Sequence, residues 1–166
     1  MKFVSIIMGS RSDYEVVNEA AKLLEKFNVK YELIISSAHR SPERTHEYVK
    51  AAEAKGAQVF IAAAGMAAHL AGAIAANTTK PVIGIPMGGS ALNGVDALYS
   101  TVQMPSGMPV ATVAIGKAGA LNSAYLAMQI LALQDSELAT KLKDNRKEKQ
   151  EALKADSAKV EVILRG

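Results

Sequence analysis

Four short stretches of this chain gather residue types that bind anions or move protons. Gly9-Ser10-Arg11-Ser12-Asp13 places two hydroxyls, a guanidinium and a carboxylate behind a glycine, and Ser37-Ala38-His39-Arg40-Ser41 sets an imidazole beside a second arginine. Gly65-Met66-Ala67-Ala68-His69-Leu70 supplies another imidazole among small residues, and Gly88-Gly89-Ser90-Ala91-Leu92-Asn93-Gly94 is a glycine-rich run. Glycine and serine ahead of a helix present N–H groups and hydroxyls to an anion at the positive end of the helix dipole. Arg11 or Arg40 then has the fork geometry to clamp a phosphate. The first stretch lacks the lysine of a P-loop and the further glycines of a dinucleotide fingerprint. A mononucleotide or sugar phosphate therefore fits better than a triphosphate or NAD. Taken alone, Ser10 and Asp13 read better as a turn residue and a helix cap; the other stretches make them binding candidates.

The chain has three histidines and no cysteine. His39 and His69 fall in the stretches above, whereas His46 lies mid-helix near Glu43 and Lys50 and reads as a surface residue. Imidazole titrates near neutral pH, so two beside an anion site are the catalytic candidates for acid–base work. No third ligand has suitable spacing for a metal, and the missing thiols exclude a disulfide framework or a thiol nucleophile. No Gly-x-Ser-x-Gly elbow supports acyl transfer by serine. The pattern amounts to a phosphate-binding α/β enzyme with histidine acid–base chemistry.

A scaffold must bring these stretches to one edge. Short apolar, β-branched runs alternate with helix-period segments, the pattern of βαβ units and a parallel sheet. Strands are expected at 3–8, 31–36, 59–64, 81–86 and 110–115. Asp13 is expected to cap a helix with Val16, Val17, Ala20, Leu24 and Phe27 on its apolar face. Ser41 is expected to cap another, with Pro42 in its first turn and Gly56 as its stop. Further helices are expected at 66–76, 94–104, 120–133 and 135–155, the last with Glu137 and Lys141 at helical spacing. The tail 159–164 reads as a strand or an arm. Ligands of an open parallel sheet bind beyond the carboxyl ends of the strands, and all four stretches fall there.

Hydrophobic residues make up 49% of the 166 and charged ones 21%, which fits one globular domain over 1–166, with 135–166 as an outer helix and tail. The opening apolar run is too short for a signal peptide, so a cytoplasmic address is expected. The charge-free stretch 56–79 is mostly alanine with polar residues inside and changes period, which excludes a membrane span. The net charge of +3 is no nucleic-acid footprint, because most of the fourteen lysines sit among acids and form no basic stripe. Between 57 and 134 the only charged residues are Lys80, Asp96 and Lys117. So little charge over nearly half the chain points to burial between subunits as well as within one.

The stretches closely resemble the site loops of the 5-(carboxyamino)imidazole ribonucleotide mutases, bacterial enzymes of purine synthesis also called the catalytic subunit of phosphoribosylaminoimidazole carboxylase. Met8-Gly9-Ser10-x-Ser12-Asp13, Ser37-Ala38-His39-Arg40 and Ala67-Ala68-His69-Leu70 resemble three loops. Leu92-Asn93-Gly94-x-Asp96, the segment from Gln103 to Val110, and the segment from Ala114 to Ala120 resemble three more, in order. The resemblance runs from Val4 to about Leu133. It implies a three-layer α/β/α sandwich with a parallel, flavodoxin-like sheet, a homo-octamer with sites at subunit contacts, and no cofactor. It also implies that Ser10, Asp13 and Arg40 hold the ribose and phosphate of an imidazole ribonucleotide, and that His39 is the acid–base. Ser37, Gly65 and His69 would line the imidazole and carboxyl pocket, with Gly9, Ser12, Ala38, Ala67 and Leu70 completing the binding set.

The chain departs from that family at Met66, where a second glycine is usual, at Ala71, where proline is usual, and at Ala63, where glycine is common. Related carboxylases that take free carbon dioxide tend to carry lysine at the position of Arg40 and a different run at His69, so the mutase subgroup is favoured. A flavodoxin-like FMN module is the other reading, and it would want aromatic stacking groups that a chain with no Trp, five Tyr and three Phe scarcely offers. A non-catalytic structural oligomer would leave the two loop histidines without a purpose.

Overall fold

A computed structural model describes residues 2–164. The chain divides into two compact units, with the boundary between Ile130 and Leu131.

The first unit holds five parallel strands: β1 (Phe3–Met8), β2 (Tyr31–Ile35), β3 (Ala57–Ala64), β4 (Val82–Pro86) and β5 (Ala111–Thr112). Their order in the sheet is β2-β1-β3-β4-β5. The helices are α1 (Tyr14–Lys26), α2 (Pro42–Lys55), α3 (Leu70–Ala75), α4 (Val95–Val102) and α5 (Lys117–Ala132), the last running across the unit boundary. From β1 the chain steps one way to β2, then crosses back and steps the other way to β5. Crossovers in the two directions, each of the usual right hand for parallel strands, carry helices to both faces of the sheet, the flavodoxin-like arrangement. All six residues of β1 are buried, as a central strand covered on both faces requires.

Close packing sets the spacing of the layers. A Cβ on Gly84 would sit 2.3 Å from Thr101 Cγ2, so α4 rests directly on the backbone of β4. Ser5, fully buried in β1, is satisfied by the Tyr48 hydroxyl at 2.9 Å. Tyr48 donates to Glu32 at 3.1 Å, and Lys55 donates to the same carboxylate at 2.7 Å, so the polar chain surfaces beside β2. Burial, helped by the nearby Glu32 carboxylate, pushes the Tyr48 hydroxyl up to about 12.

The expected elements are all present, with several corrections. Residues 66–69 are not helical: α3 begins only at Leu70, because the chain first makes a tight turn at Met66. Asp13 makes no capping bond; a single 3-10 turn, Arg11–Asp13, precedes α1, and Ser10 caps that turn by accepting from Ser12 N. Ser41 makes no side-chain cap either, and α2 starts on Pro42 and stops on Gly56 at φ +113°. The fifth strand shortens to two residues.

The second unit is dominated by α6 (Ser136–Val160). The Asp135 carboxylate caps it by accepting from Leu138 N at 3.0 Å, and Lys141 pairs with Glu137 at 2.6 Å one turn apart. The helix outruns its expected end at 155, and residues 161–164 form no strand.

Candidate active site

The roots of the site loops are held level by backbone bonds that extend the sheet past its strands. Gly9 N donates to Ala63 O at 3.0 Å, Ser36 N to Met8 O at 3.0 Å, and Met87 N to Ala64 O at 2.9 Å. The chain therefore leaves β1, β2, β3 and β4 at one height. The strand order reverses beside β1, which opens a crevice between the loops after β1 and β3.

The loops after β1 and β2 form a polar arc. Ser10 Oγ accepts from Ser12 N at 3.3 Å and from Ser12 Oγ at 2.9 Å, while Asp13 N donates to Ser10 O at 3.2 Å. Arg40 is tied back to the first loop and to its own: Nη2 donates to Gly9 O at 3.1 Å and Nε to Ser37 Oγ at 3.4 Å. Its guanidinium thus spans the first two loops. Arg11, the alternative clamp, instead lies over the Tyr14 ring at 4.7 Å and does not line the cavity. Burial raises the Asp13 carboxyl above the ordinary 3.8, against lowering by its hydrogen bonds with Ser10 and Ser12.

His39 sits in a braced loop. Ser41 N donates to Ser37 O at 2.8 Å, Arg40 N to Ser37 Oγ at 3.2 Å, and buried Thr45 donates its hydroxyl to Ser41 O at 3.1 Å. His69 arrives from the turn after β3. The two rings stack face to face, with centroids 4.8 Å apart and planes 12° from parallel. His46 is not the free surface residue expected from its helical position. Its Nδ1 bonds Asn77 Oδ1, and Asn77 Nδ2 donates to Ala73 O at 2.7 Å, so His46 ties α2 to α3.

The loops after β3 and β4 form a contrasting arc of small residues, Ala64, Gly65, Ala67 and Gly89, over the buried Met87. Met66 has φ +56°, a left-handed conformation that costs an L-residue about 1–2 kcal/mol. The other non-glycine residues at positive φ among those described are Asn28 and Asn93, and asparagine tolerates the conformation. Ala68 N donates to Met66 O at 2.9 Å and fixes this turn. Met66 is 68% exposed, so it stands at the cavity rim rather than filling it. The fourth loop mostly bonds itself, with Ser90 donating to Asp96 at 2.7 Å and accepting from Gly94 N at 3.3 Å.

Together the arcs enclose a cavity of about 570 Å³, of the size that takes a mononucleotide. Gly9, Ser10, Ser12, Asp13, Ser37, Ala38, His39, Arg40, Gly65, Ala67, His69 and Leu70 all line it. The binding set expected from the sequence omitted Ala64, Met66, Met87 and Gly89, although Met66 and Gly89 stood within the third and fourth stretches. Ala64 and Met87 were legible as the last residue of one strand and the first beyond another, where this fold binds its ligands. Among the described residues, no group of three His, Cys, Asp or Glu is placed to hold a metal ion.

A flavodoxin-like sheet with a ligand cavity at its switch point defines the class. Within it, the chain belongs to the AIR carboxylase family, which it matches over residues 3–152. It is 55% identical over 148 residues to the N5-carboxyaminoimidazole ribonucleotide mutase of Pyrococcus abyssi, covering 89% of this chain and 84% of that one. It is 54% identical over 144 residues to the mutase of the same name from Escherichia coli, covering 87% and 85%. The crystal structure of Treponema denticola PurE superposes with a TM-score of 0.88 at 29% identity, covering 98% of this chain and all (100%) of that one.

Proposed function

We propose that this protein is a mutase of purine biosynthesis that converts 5-(carboxyamino)imidazole ribonucleotide to 4-carboxy-5-aminoimidazole ribonucleotide. The observation that carries the reading is the face-to-face pair of His39 and His69 on the wall between a polar, arginine-bearing arc and an arc of small residues. Ser10, Ser12, Asp13 and Arg40 hold the ribose and phosphate, and Gly9, Ser37 and Ala38 shape that end of the cavity. Gly65, Ala67, Leu70 and His69 surround the imidazole ring and the migrating carboxyl group.

The chemistry needs one proton moved out and back. Protonated His39 gives its proton to the exocyclic nitrogen as the nitrogen–carbon bond of the carbamate breaks; the bonding pair stays on nitrogen and carbon dioxide is released. The ring is now enamine-like, and its C4 carbon attacks the trapped carbon dioxide. Neutral His39 then takes the C4 proton, which restores the aromatic ring and the starting enzyme. Atoms and charge balance without oxidant, biotin or nucleoside triphosphate. Holding carbon dioxide beside C4 supplies rate through effective molarity, provided water is kept out.

All the site residues lie in the first unit. The protein works in the cytoplasm as a homo-octamer. Supporting self-association, Leu92, Val95, Tyr99 and Val102 recur at spacings of three and four along α4 and its approach, and all are exposed, Tyr99 by 64%. A solvent-exposed apolar stripe in the charge-poor part of the chain is the mark of a covered face. Tyr99→Glu is expected to shift the light-scattering mass at micromolar concentration to smaller species, since an unpaired buried charge costs several kcal/mol. A wild-type monomer with full activity would remove the octamer.

The reaction is tested by supplying the carbamate ribonucleotide in buffer containing isotope-labelled bicarbonate and carbonic anhydrase. A mutase passes its own carbon dioxide from nitrogen to C4, so early product stays largely unlabelled. Product carrying the full buffer label would instead make this a carboxylase drawing on free carbon dioxide.

A further inference from the structure

Between residues 57 and 134 the only charged residues are Lys80, Asp96 and Lys117, and the cavity is lined by none of them. Asp96, the one acid, stands in the first turn of α4, where a carboxylate favours the helix dipole. The dipole does not account for its side-chain partner. Asp96 Oδ1 accepts from the Ser90 hydroxyl at 2.7 Å, six residues back across the fourth loop. Ser90 is the hub of that loop: its Oγ also accepts from Leu92 N and from Gly94 N, each at 3.3 Å, and its carbonyl accepts from Asn93 N at 3.0 Å. A hydroxyl has one proton and two lone pairs. While the proton goes to Asp96, both lone pairs are left for the two backbone donors. Without that acceptor the hydroxyl is free to rotate, and its proton competes with theirs for the same space.

The hub governs part of the cavity, because the fourth loop closes on its own root. Asn93 and Gly94 are both left-handed, at φ +53° and +85°, which turns the chain back. A Cβ on Gly94 would stand 3.0 Å from Gly88 Cα and 3.1 Å from Met87 O, so the end of the loop lies against its beginning. At that beginning Met87 and Gly89 line the cavity. The wall they share with Ala64, Gly65 and Ala67 has few side chains of its own to interlock, so its shape depends on backbone held from behind.

We infer that Asp96 is a positioning residue for the small-residue wall, fixing Met87 and Gly89 through Ser90 while touching no substrate itself. This rests on the mutase reading above. Carbon dioxide has no net dipole and no hydrogen to donate, so the fit of the wall around it keeps it beside C4. The ribose phosphate is held by the opposite arc. A displaced wall therefore acts on the transfer step and not on nucleotide binding, so kcat and KM separate.

The test compares the full chain with Asp96→Ala, Asp96→Asn, Ser90→Ala and the double variant Asp96→Ala/Ser90→Ala. Each is assayed for kcat, KM and buffer label in early product, with light-scattering mass and melting temperature alongside. Asp96→Ala is expected to lower kcat ~3- to 10-fold and raise the label at least ~2-fold, with KM for the carbamate ribonucleotide within ~2-fold of wild type. Asp96→Asn keeps an oxygen for the Ser90 proton, and its kcat is expected within ~2-fold of wild type. Added to Ser90→Ala, Asp96→Ala is expected to change kcat by less than ~2-fold, because its partner is already gone. Ser100→Ala is the control: it removes the 2.7 Å bond to the Asp96 backbone carbonyl and spares the carboxylate, so kcat and label should not move. Unchanged kcat and label in Asp96→Ala overturn the positioning role, as does a full further loss on top of Ser90→Ala. A loss accompanied by a smaller scattering mass overturns it in favour of a subunit contact. A variant that does not fold, or an equal loss from Ser100→Ala, makes Asp96 a structural part of α4 and overturns it too. Each of these leaves the mutase reading intact, whereas fully labelled product from wild type defeats that reading.

Discussion

The loops after β1 and β2 and the loops after β3 and β4 face one cavity with opposite chemistry. The first pair carries Ser10, Ser12, Asp13, Ser37 and Arg40, cross-linked by hydrogen bonds from Ser12 to Ser10 and from Arg40 to Gly9 and Ser37. The second pair carries mostly alanine and glycine, and Ser90 of the fourth loop turns away to Asp96. Each pair contributes one histidine, and the rings meet where the halves join. The difference separates two tasks: a network preorganised before ligand arrives suits a fixed, charged group, and a bare apolar surface suits a small neutral one.

Breaking the junction is expected to have the largest effect. His39→Asn should lower turnover by at least ~10²-fold while ribonucleotide binding, followed by calorimetry, persists. Turnover near wild type would remove His39 from the chemistry. His46→Ala is the control: it should leave turnover within about 2-fold, because the His46 bond to Asn77 is a tie between helices whose loss acts on stability.

Weakening the polar half comes next. Arg40→Ala should raise KM for the ribonucleotide by about 10- to 100-fold, the worth of a charge-assisted hydrogen bond, with a smaller change in kcat. A fall in kcat with KM unchanged would mean that Arg40 serves the reacting atoms and that the two halves are not divided as described.

The smallest effect concerns stability. Burial raises the Asp13 carboxyl above 3.8, so its contribution to stability is full below that value and is lost as pH rises through the folded-state value. Asp13→Asn removes a half-buried anion, and should melt slightly above wild type at neutral pH, with the advantage vanishing below pH 3.8. An advantage that persisted in acid would show that the desolvated charge is not its source. If the proposed binding role of Asp13 holds, the same variant should also bind ribonucleotide less well.

Much of this was legible in the residues. The strand pattern located β1 to its residue limits, and the rule that ligands sit beyond strand ends gathered residues that line one cavity. Local capping was read less well. Asp13 and Ser41 have the residue type of caps, but the chain inserts a 3-10 turn before α1, and Thr45 takes the Ser41 carbonyl. Such choices depend on neighbours brought by the fold, not on the residue itself. The partner of His46 was hidden for the same reason: Asn77 lies 31 residues away, and only the packing of α2 on α3 joins them. The helix expected from residue 66 failed at one backbone angle that no side-chain pattern encodes, since methionine is ordinarily a good helix former.

The parallel stack of His39 and His69 has a further consequence. At 4.8 Å and 12° each ring lies within the magnetic shielding cone of the other, so their carbon-bound protons resonate away from those of a solitary imidazole such as His46. Because the two rings hang from separate loops on the two halves of the sheet, any ligand that slides one half against the other changes their overlap. The protein thus carries its own spectroscopic gauge of how the His39 and His69 loops are set against each other, with no label added and with the third histidine as internal reference.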